Sequence, residues 1–245
     1  MSVPYSIPIL TYHHTEEPPS KGSPMRSLWV SPTSFASQMQ WLHRIGYQGL
    51  HMSALMPYLR GEKKGKVVGI TLDDGYLSNL THALPVLKRL GFSATCYAVS
   101  GLLGQHNQWD EALGIVKSSL MSSQDLKTWV DAGMEIGSHT RHHADLTLLS
   151  LDEVQKELVQ SKAELENILQ QAVTQFCYPY GHFLTPHEAL VSEAGYVAAT
   201  TTARGRACHT DTLTALPRIP IVRSTHTAQF LLKILTRYED SKRTQ

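Results

Sequence analysis

The sequence predicts an α/β protein assembled from parallel βα units, as either an open sheet or a barrel. Short apolar runs rich in β-branched residues alternate with segments of helical spacing along the 245 residues. The helical segments carry capping signals at their starts and glycines at their ends. No internal repeat or low-complexity linker interrupts the alternation. A single α/β barrel routinely reaches this length, so one domain over residues 1–245 is expected.

In chain order, Ile7 to Thr11 reads as a strand. Ser31 is an N-cap with Pro32 at the first helical position, opening a helix that ends near Gly46. Val67 to Leu72 is the next strand, and a helix from about Ser78 to Leu90 closes at Gly91. Pro85 inside that helix predicts a kink or a late start. Ala94 to Val99 is a strand, Ser122 opens a helix that Gly133 stops, and Met134 to Gly137 is a short strand. Ser150-Leu151-Asp152-Glu153 forms a capping box for a helix to about Gln171, with Val154, Leu158, Leu165 and Leu169 on one face. Thr174 to Tyr178 is a strand, and Thr185-Pro186 starts a helix ending at Gly195. Val197 to Thr200 and Leu216 to Ile221 are strands, and a last helix covers about 227–238. The Pro-, Ser- and Gly-rich stretch from Thr15 to Val30 is a long loop of the kind that shapes a cleft.

Bulk properties exclude several classes. Formal net charge is +1 with scattered basic residues, which argues against nucleic-acid binding. No run is long and apolar enough to span a bilayer. The segment from Met1 to Pro8 lacks the pattern of a signal peptide, so a cytoplasmic protein or a processed exported one is expected. Cys96, Cys177 and Cys208 are odd in number and form no Cys-x-x-Cys pair, which predicts free thiols. The oligomeric state is not legible.

The chemistry concentrates at three strand ends. Thr71-Leu72-Asp73-Asp74-Gly75 closes one apolar run. Neighbours in a strand point to opposite faces, so the two acids share a site only where the chain turns after the strand. The bland alternative is a turn at Asp74-Gly75 with Asp73 capping the next helix. Ser138-His139-Thr140-Arg141-His142-His143 closes another run, and His139 and His143 fall on one side if the chain turns helically. Two imidazoles and one carboxylate make a three-ligand metal site, leaving the other carboxylate as a base. His142 should point away. Phe176-Cys177-Tyr178-Pro179-Tyr180-Gly181-His182 ends a third strand in a rigid turn, able to offer a backbone N–H to an oxyanion and the Tyr180 ring to a sugar. An ordinary strand-ending turn explains that heptapeptide equally well.

Together these segments resemble the polysaccharide deacetylase family, the NodB-homology group of carbohydrate esterase family 4. Thr-Leu-Asp-Asp-Gly is similar to its first motif, Ser-His-Thr-Arg-His-His to its second and Tyr-Pro-Tyr-Gly to its third, over roughly residues 5–222. The resemblance implies a distorted (β/α)7 barrel. It also implies a divalent metal on Asp74, His139 and His143, usually zinc, with cobalt, nickel or iron as alternatives. Asp73 would be the base acting on the metal-bound water, and the Tyr180 N–H would hold the oxyanion. The implied activity is N-deacetylation of an N-acetylated sugar polymer or oligomer. A metal-dependent hydrolase of a non-sugar amide or imide is the alternative, and a non-catalytic glycan-binding module a third reading.

Two features depart from the common family pattern. No C-terminal Leu-x-x-His-like motif supplies an acid histidine, whereas Thr11-Tyr12-His13-His14 resembles the circularly permuted branch that includes poly-N-acetylglucosamine deacetylases. By that match His13 is the proton donor, with His14, on the opposite strand face, the weaker candidate. Cys177 lies near where many relatives carry an arginine that orients the base, and Arg218 is the proposed substitute. Tyr12, Trp29 and Trp109 are candidates for sugar stacking, although Trp109 reads equally as a packed loop anchor.

Overall fold

A computed structural model describes residues 6–243. Residues 1–5, which include Tyr5 at the start of the expected core and most of the segment read for a signal peptide, lie outside the described residues.

Seven parallel strands close into a barrel. In chain order they are β2 (Ile9–Tyr12), β4 (Val67–Leu72), β5 (Thr95–Ala98), β6 (Glu135–Ser138), β7 (Gln175–Cys177), β8 (Ala198–Arg204) and β10 (Leu216–Pro220). β4 to β8 pair in chain order, β10 bridges β8 to β2, and β2 pairs with β4 to close the ring. Three short strands lie outside it: β1 (Ser6–Ile7) pairs antiparallel with β9 (Ala207–Cys208), and β3 (Gln48–Leu50) runs parallel to the start of β4.

Strand parity sorts the side chains. Along β4, Val68, Ile70 and Leu72 pack outward against helices α1 (Pro32–Arg44) and α3 (Leu84–Leu90) through residues such as Phe35, Met39 and Leu87. The alternate set, with Val67, Tyr97, Cys177 and Leu216, forms a second, inner cluster. That cluster is completed by α2 (Met52–Leu59), which presents Met52, Leu55, Met56 and Leu59 at helical spacing to the barrel floor. Gly69 makes the approach feasible, since a Cβ there would lie 2.8 Å from Leu55 Cδ2. Residues 48–59 carry no expectation from the sequence. His51 caps α2 through Nδ1, which accepts from Ala54 N–H, and Pro57 sits inside the helix, so the usual start and stop signals are missing.

The remaining helices follow their caps. Ser31 accepts from Ser34 N–H at the start of α1. Both capping boxes form, Ser122 with Asp125 ahead of α4 (Ser123–Asp131) and Ser150 with Glu153 ahead of α5 (Leu151–Leu169). Pro85 produces the late start: residues Asn79–Ala83 form a wider π turn before α3 begins. α6 (Thr185–Glu193) follows β7, and α7 (Thr227–Leu235) stops short of the expected residue 238. No helix among the described residues is long and apolar enough to cross a membrane.

Candidate active site

Parity also aims the chemistry. Thr71 and Asp73 continue the inward set of β4, His13 that of β2, His139 that of β6, and Arg218 lies on the inward set of β10. Asp73 N–H donates to Tyr12 O (2.9 Å) and His139 N–H to Ala98 O (2.9 Å), so both side chains leave the sheet at the C-terminal mouth of the barrel. Asp74 by parity would point out. Its φ of 74°, followed by Gly75 at 75°, turns it back into the mouth. The described residues include six non-glycine positions with positive φ, and three of them are Asp74, His143 and Tyr180. Thr140 and Met25 are two more, beside His139 and at the cleft wall. Backbone strain is therefore gathered where the functional groups converge.

Asp73 is held in a fork. Arg218 Nη1 donates to Oδ1 (2.7 Å) and Nη2 to Oδ2 (2.8 Å). The guanidinium is 1% exposed and is itself fixed by Thr201 O, Thr71 Oγ1 and Cys177 Sγ. Burial pushes the Asp73 carboxyl up, but the charge and hydrogen bonds of Arg218 outweigh it and leave the group below its ordinary value. His13 Nε2 stands 3.9 Å from Asp73 Oδ2.

Asp74 is the centre of a second cluster. His139 Nε2 lies 3.3 Å and His143 Nε2 3.4 Å from Asp74 Oδ1. Ligands each ~2.0–2.1 Å from a tetrahedral zinc stand about 3.3–3.4 Å apart, so both Asp74–histidine separations suit such a site, and all three donor atoms lie within 4.8 Å of one another. His139 Nδ1 hydrogen-bonds Cys177 O (2.7 Å), which fixes the tautomer and leaves Nε2 free as a ligand. Burial raises Asp74, but the hydrogen bonds of both histidines hold it well below the usual carboxylate range. Burial lowers His143 despite its bond to Asp74, which suits a neutral ligand. Asp73, His139 and Cys177 form a rival grouping. It fits a cation poorly, because both Asp73 oxygens and Cys177 Sγ already accept from the buried Arg218.

Above these groups lies a cleft of about 440 Å³. Tyr180 lines it from a turn in which Gly181 N–H bonds Tyr178 O (2.9 Å) and His182 N–H bonds Pro179 O (3.1 Å). The turn's own bonds thus leave out the Tyr180 N–H. Trp109 stacks on His143 (4.4 Å between centroids, 22°), and Tyr180 meets the same imidazole edge-on at 4.6 Å. A family model described as polysaccharide deacetylase matches residues 60–199, more than half of the chain.

The chain belongs to the polysaccharide deacetylase family. Its relatives include the YxkH protein of Bacillus subtilis, classed with polysaccharide deacetylases, at 31% identity over 89% of this chain and 72% of that protein. The poly-β-1,6-N-acetyl-D-glucosamine N-deacetylase of Staphylococcus aureus is 25% identical over 72% of this chain, which spans 62% of that enzyme's length. The Streptococcus pyogenes deacetylase PplD, solved with acetate, superposes with a TM-score of 0.81 at 27% identity, over 95% of this chain and 99% of the other. The barrel of this family member is the (β/α)7 form that the resemblance implies.

Two expectations within this deacetylase-family chain need correction. Tyr12 is not a cleft residue: parity sends it outward, fully buried, edge-on to Phe35 and donating to Gln38 Oε1 (2.9 Å). Trp29 is buried too, stacked on His14 at 3.7 Å. His14 lies between Trp29 and Tyr76 with Nδ1 on Glu16, away from the reacting groups. His142 turns to Glu157 (2.6 Å), and His182, at the cleft rim, pairs with Asp145 (2.8 Å). Met25 and Leu28 line the cleft from the Thr15 to Val30 loop, as expected, whereas sequence reasoning does not single out Asp110, Leu113 and Ile115, which line it too. They come from loops without periodicity. For the second loop, the aromatic-acid pair Trp109-Asp110 is the one local signal.

Proposed function

We propose that this chain is a divalent-metal-dependent N-deacetylase of an N-acetylated sugar polymer or oligomer. The observation that carries the reading is the pair of adjacent acids in opposite roles: Asp73 is locked to Arg218, while Asp74 Oδ1 faces two imidazole nitrogens at 3.3 and 3.4 Å. Asp74, His139 and His143 would hold the metal. When bound, a divalent ion acts as a Lewis acid, polarising the acetamide carbonyl and acidifying water.

The chain's own residues account for the proton traffic. Asp73, kept ionised by Arg218, is the base that takes the proton of the attacking water. Its two oxygens cannot swing away, so the accepting lone pair is held toward the cleft. The Tyr180 N–H, fixed by a left-handed backbone and Gly181, donates to the acetyl oxygen as charge builds there. His13, next to Asp73 and open to the cleft, gives a proton to the departing nitrogen. Trp109 and Tyr180 shield the imidazole of His143 and offer aromatic surface to a sugar ring.

Elemental analysis should find about one divalent ion per chain. Acetate release from N-acetylglucosamine oligomers should vanish on chelation, return with zinc or cobalt, and fall by about 10³-fold or more in Asp73→Asn. Full turnover in chelated protein, or acetate release only from small non-sugar amides, would refute the proposal.

A further inference from the structure

The four buried acids of the described residues are Asp73, Asp74, Asp110 and Glu239. Three have ionic partners. Asp73 has Arg218, Asp74 has His139 and His143, and Glu239 has Arg204 and Lys233. Among the described residues Asp110 forms no ion pair, and its one side-chain hydrogen bond is from Asn107 Nδ2 to Oδ2 (2.9 Å). A carboxylate partly withdrawn from water with no cation beside it is short of partners, and Asp110 can find one only on the cleft side. That leaves one oxygen, Oδ1, without a protein partner on a cleft wall.

The loop is built to hold it there. Asn107 is 1% exposed and works as a clamp: Nδ2 also donates to Val116 O (3.3 Å), and Oδ1 accepts from Ser118 N–H (2.7 Å). Leu120 N–H closes the loop onto Gln105 O (3.0 Å). Trp109, the preceding residue, is anchored by its stack on His143. Asp110 therefore has little freedom and lines the same cleft as Asp73, Asp74 and Tyr180.

We infer that Asp110 is a specificity-determining residue, accepting a hydrogen bond from a hydroxyl of the sugar that carries the acetamide, while Trp109 beside it supplies apolar contact. An acceptor-only group next to an aromatic face suits a polyhydroxylated ring and offers no hydrogen bond to an acetyl ester that has no O–H or N–H. This rests on the proposed function and extends it to the substrate side of the site.

The test compares two substrates on the metal-loaded protein: an N-acetylglucosamine oligomer, and 4-nitrophenyl acetate, which has a transferable acetyl group and no sugar. Asp110→Asn and Asp110→Ala should lower kcat/KM on the oligomer at least tenfold more than on the ester, with most of the difference in KM. Asn107→Ala, which loosens the clamp, should show the same bias to a smaller extent. Melting temperatures near wild type exclude a folding effect. Parallel losses on both substrates, or no loss on either, would overturn the inference. Wild-type protein that cleaves the ester and no N-acetylated sugar would overturn the proposed function itself, and the inference with it; that result is recognised before any variant is made.

Discussion

At Arg218 one guanidinium decides the charge state of Asp73, the proposed base. Burial by itself would raise the Asp73 carboxyl, but the fork to Arg218 opposes it and leaves the group below its ordinary value. Arg218→Gln removes the charge and leaves the burial, so the acid limb of the acetate-release profile should move to higher pH. Turnover should fall on the order of 10²-fold, while metal content, which the proposed ligands Asp74, His139 and His143 would set, stays near wild type. An unmoved acid limb with unchanged turnover would show that Asp73 needs no such partner. Arg218→Lys should recover little, because an ammonium cannot reproduce the planar two-point contact.

At the level of the element, the turn after β7 leaves one backbone N–H, that of Tyr180, for the proposed oxyanion contact. Tyr180 adopts φ 59° and Gly181 φ 73°, and a Cβ on Gly181 would lie 2.0 Å from Thr202 Oγ1 and 2.6 Å from Thr202 N. Gly181→Ala therefore has to displace the turn. Because the turn is at the barrel mouth, the cost should fall on the Tyr180 N–H more than on the core. Turnover is expected to drop about 10²–10³-fold, the loss typical of one oxyanion donor, with a melting temperature only slightly reduced. A large loss of melting temperature with normal specific activity would reverse that assignment. The β4 turn is similar: Asp74 reaches the site only through its own left-handed conformation and that of Gly75.

For the whole molecule, acid sensitivity should come from the barrel floor as well as the mouth. Glu135 links β6, β5 and α2 by accepting from Thr95 Oγ1 (2.5 Å), from Ser53 N–H (3.3 Å), and by facing His51 Nδ1 (3.4 Å). Burial raises this carboxyl, yet His51, Ser53 and Thr95 together leave it below the ordinary value. A depressed folded-state pKa stabilises the fold above the unfolded-state value, and the contribution disappears as pH falls through the folded-state value. Glu135→Gln should thus cost about 1–3 kcal/mol at neutral pH and flatten the decline of melting temperature between about pH 5 and the lower pH where Glu135 titrates in the fold. A mutant that keeps the wild-type acid slope would assign that slope to other carboxylates.

Much of the architecture was legible because it depends on local chemistry. Caps at Ser31, Ser122 and Ser150 and alternating apolar runs determine where helices and strands lie, and the Asp-Asp-Gly and His-x-x-x-His spacings mark two of the strand ends that carry the chemistry. Parity alone is enough to turn His13 inward and Tyr12 outward, against the expectation that Tyr12 stacks on a sugar. The α2 floor was also within reach through the spacing of Met52, Leu55, Met56 and Leu59. What only the tertiary structure decided is which distant groups meet. Arg218 is 145 positions from Asp73 and bonds it because β10 and β4 both flank β2 in a closed ring. Asp110 and Trp109 arrive from an aperiodic loop held by Asn107. Sequence determines the conformations that a few neighbours control; closing the barrel brings residues from separate strands and loops into one site, and no local pattern encodes that.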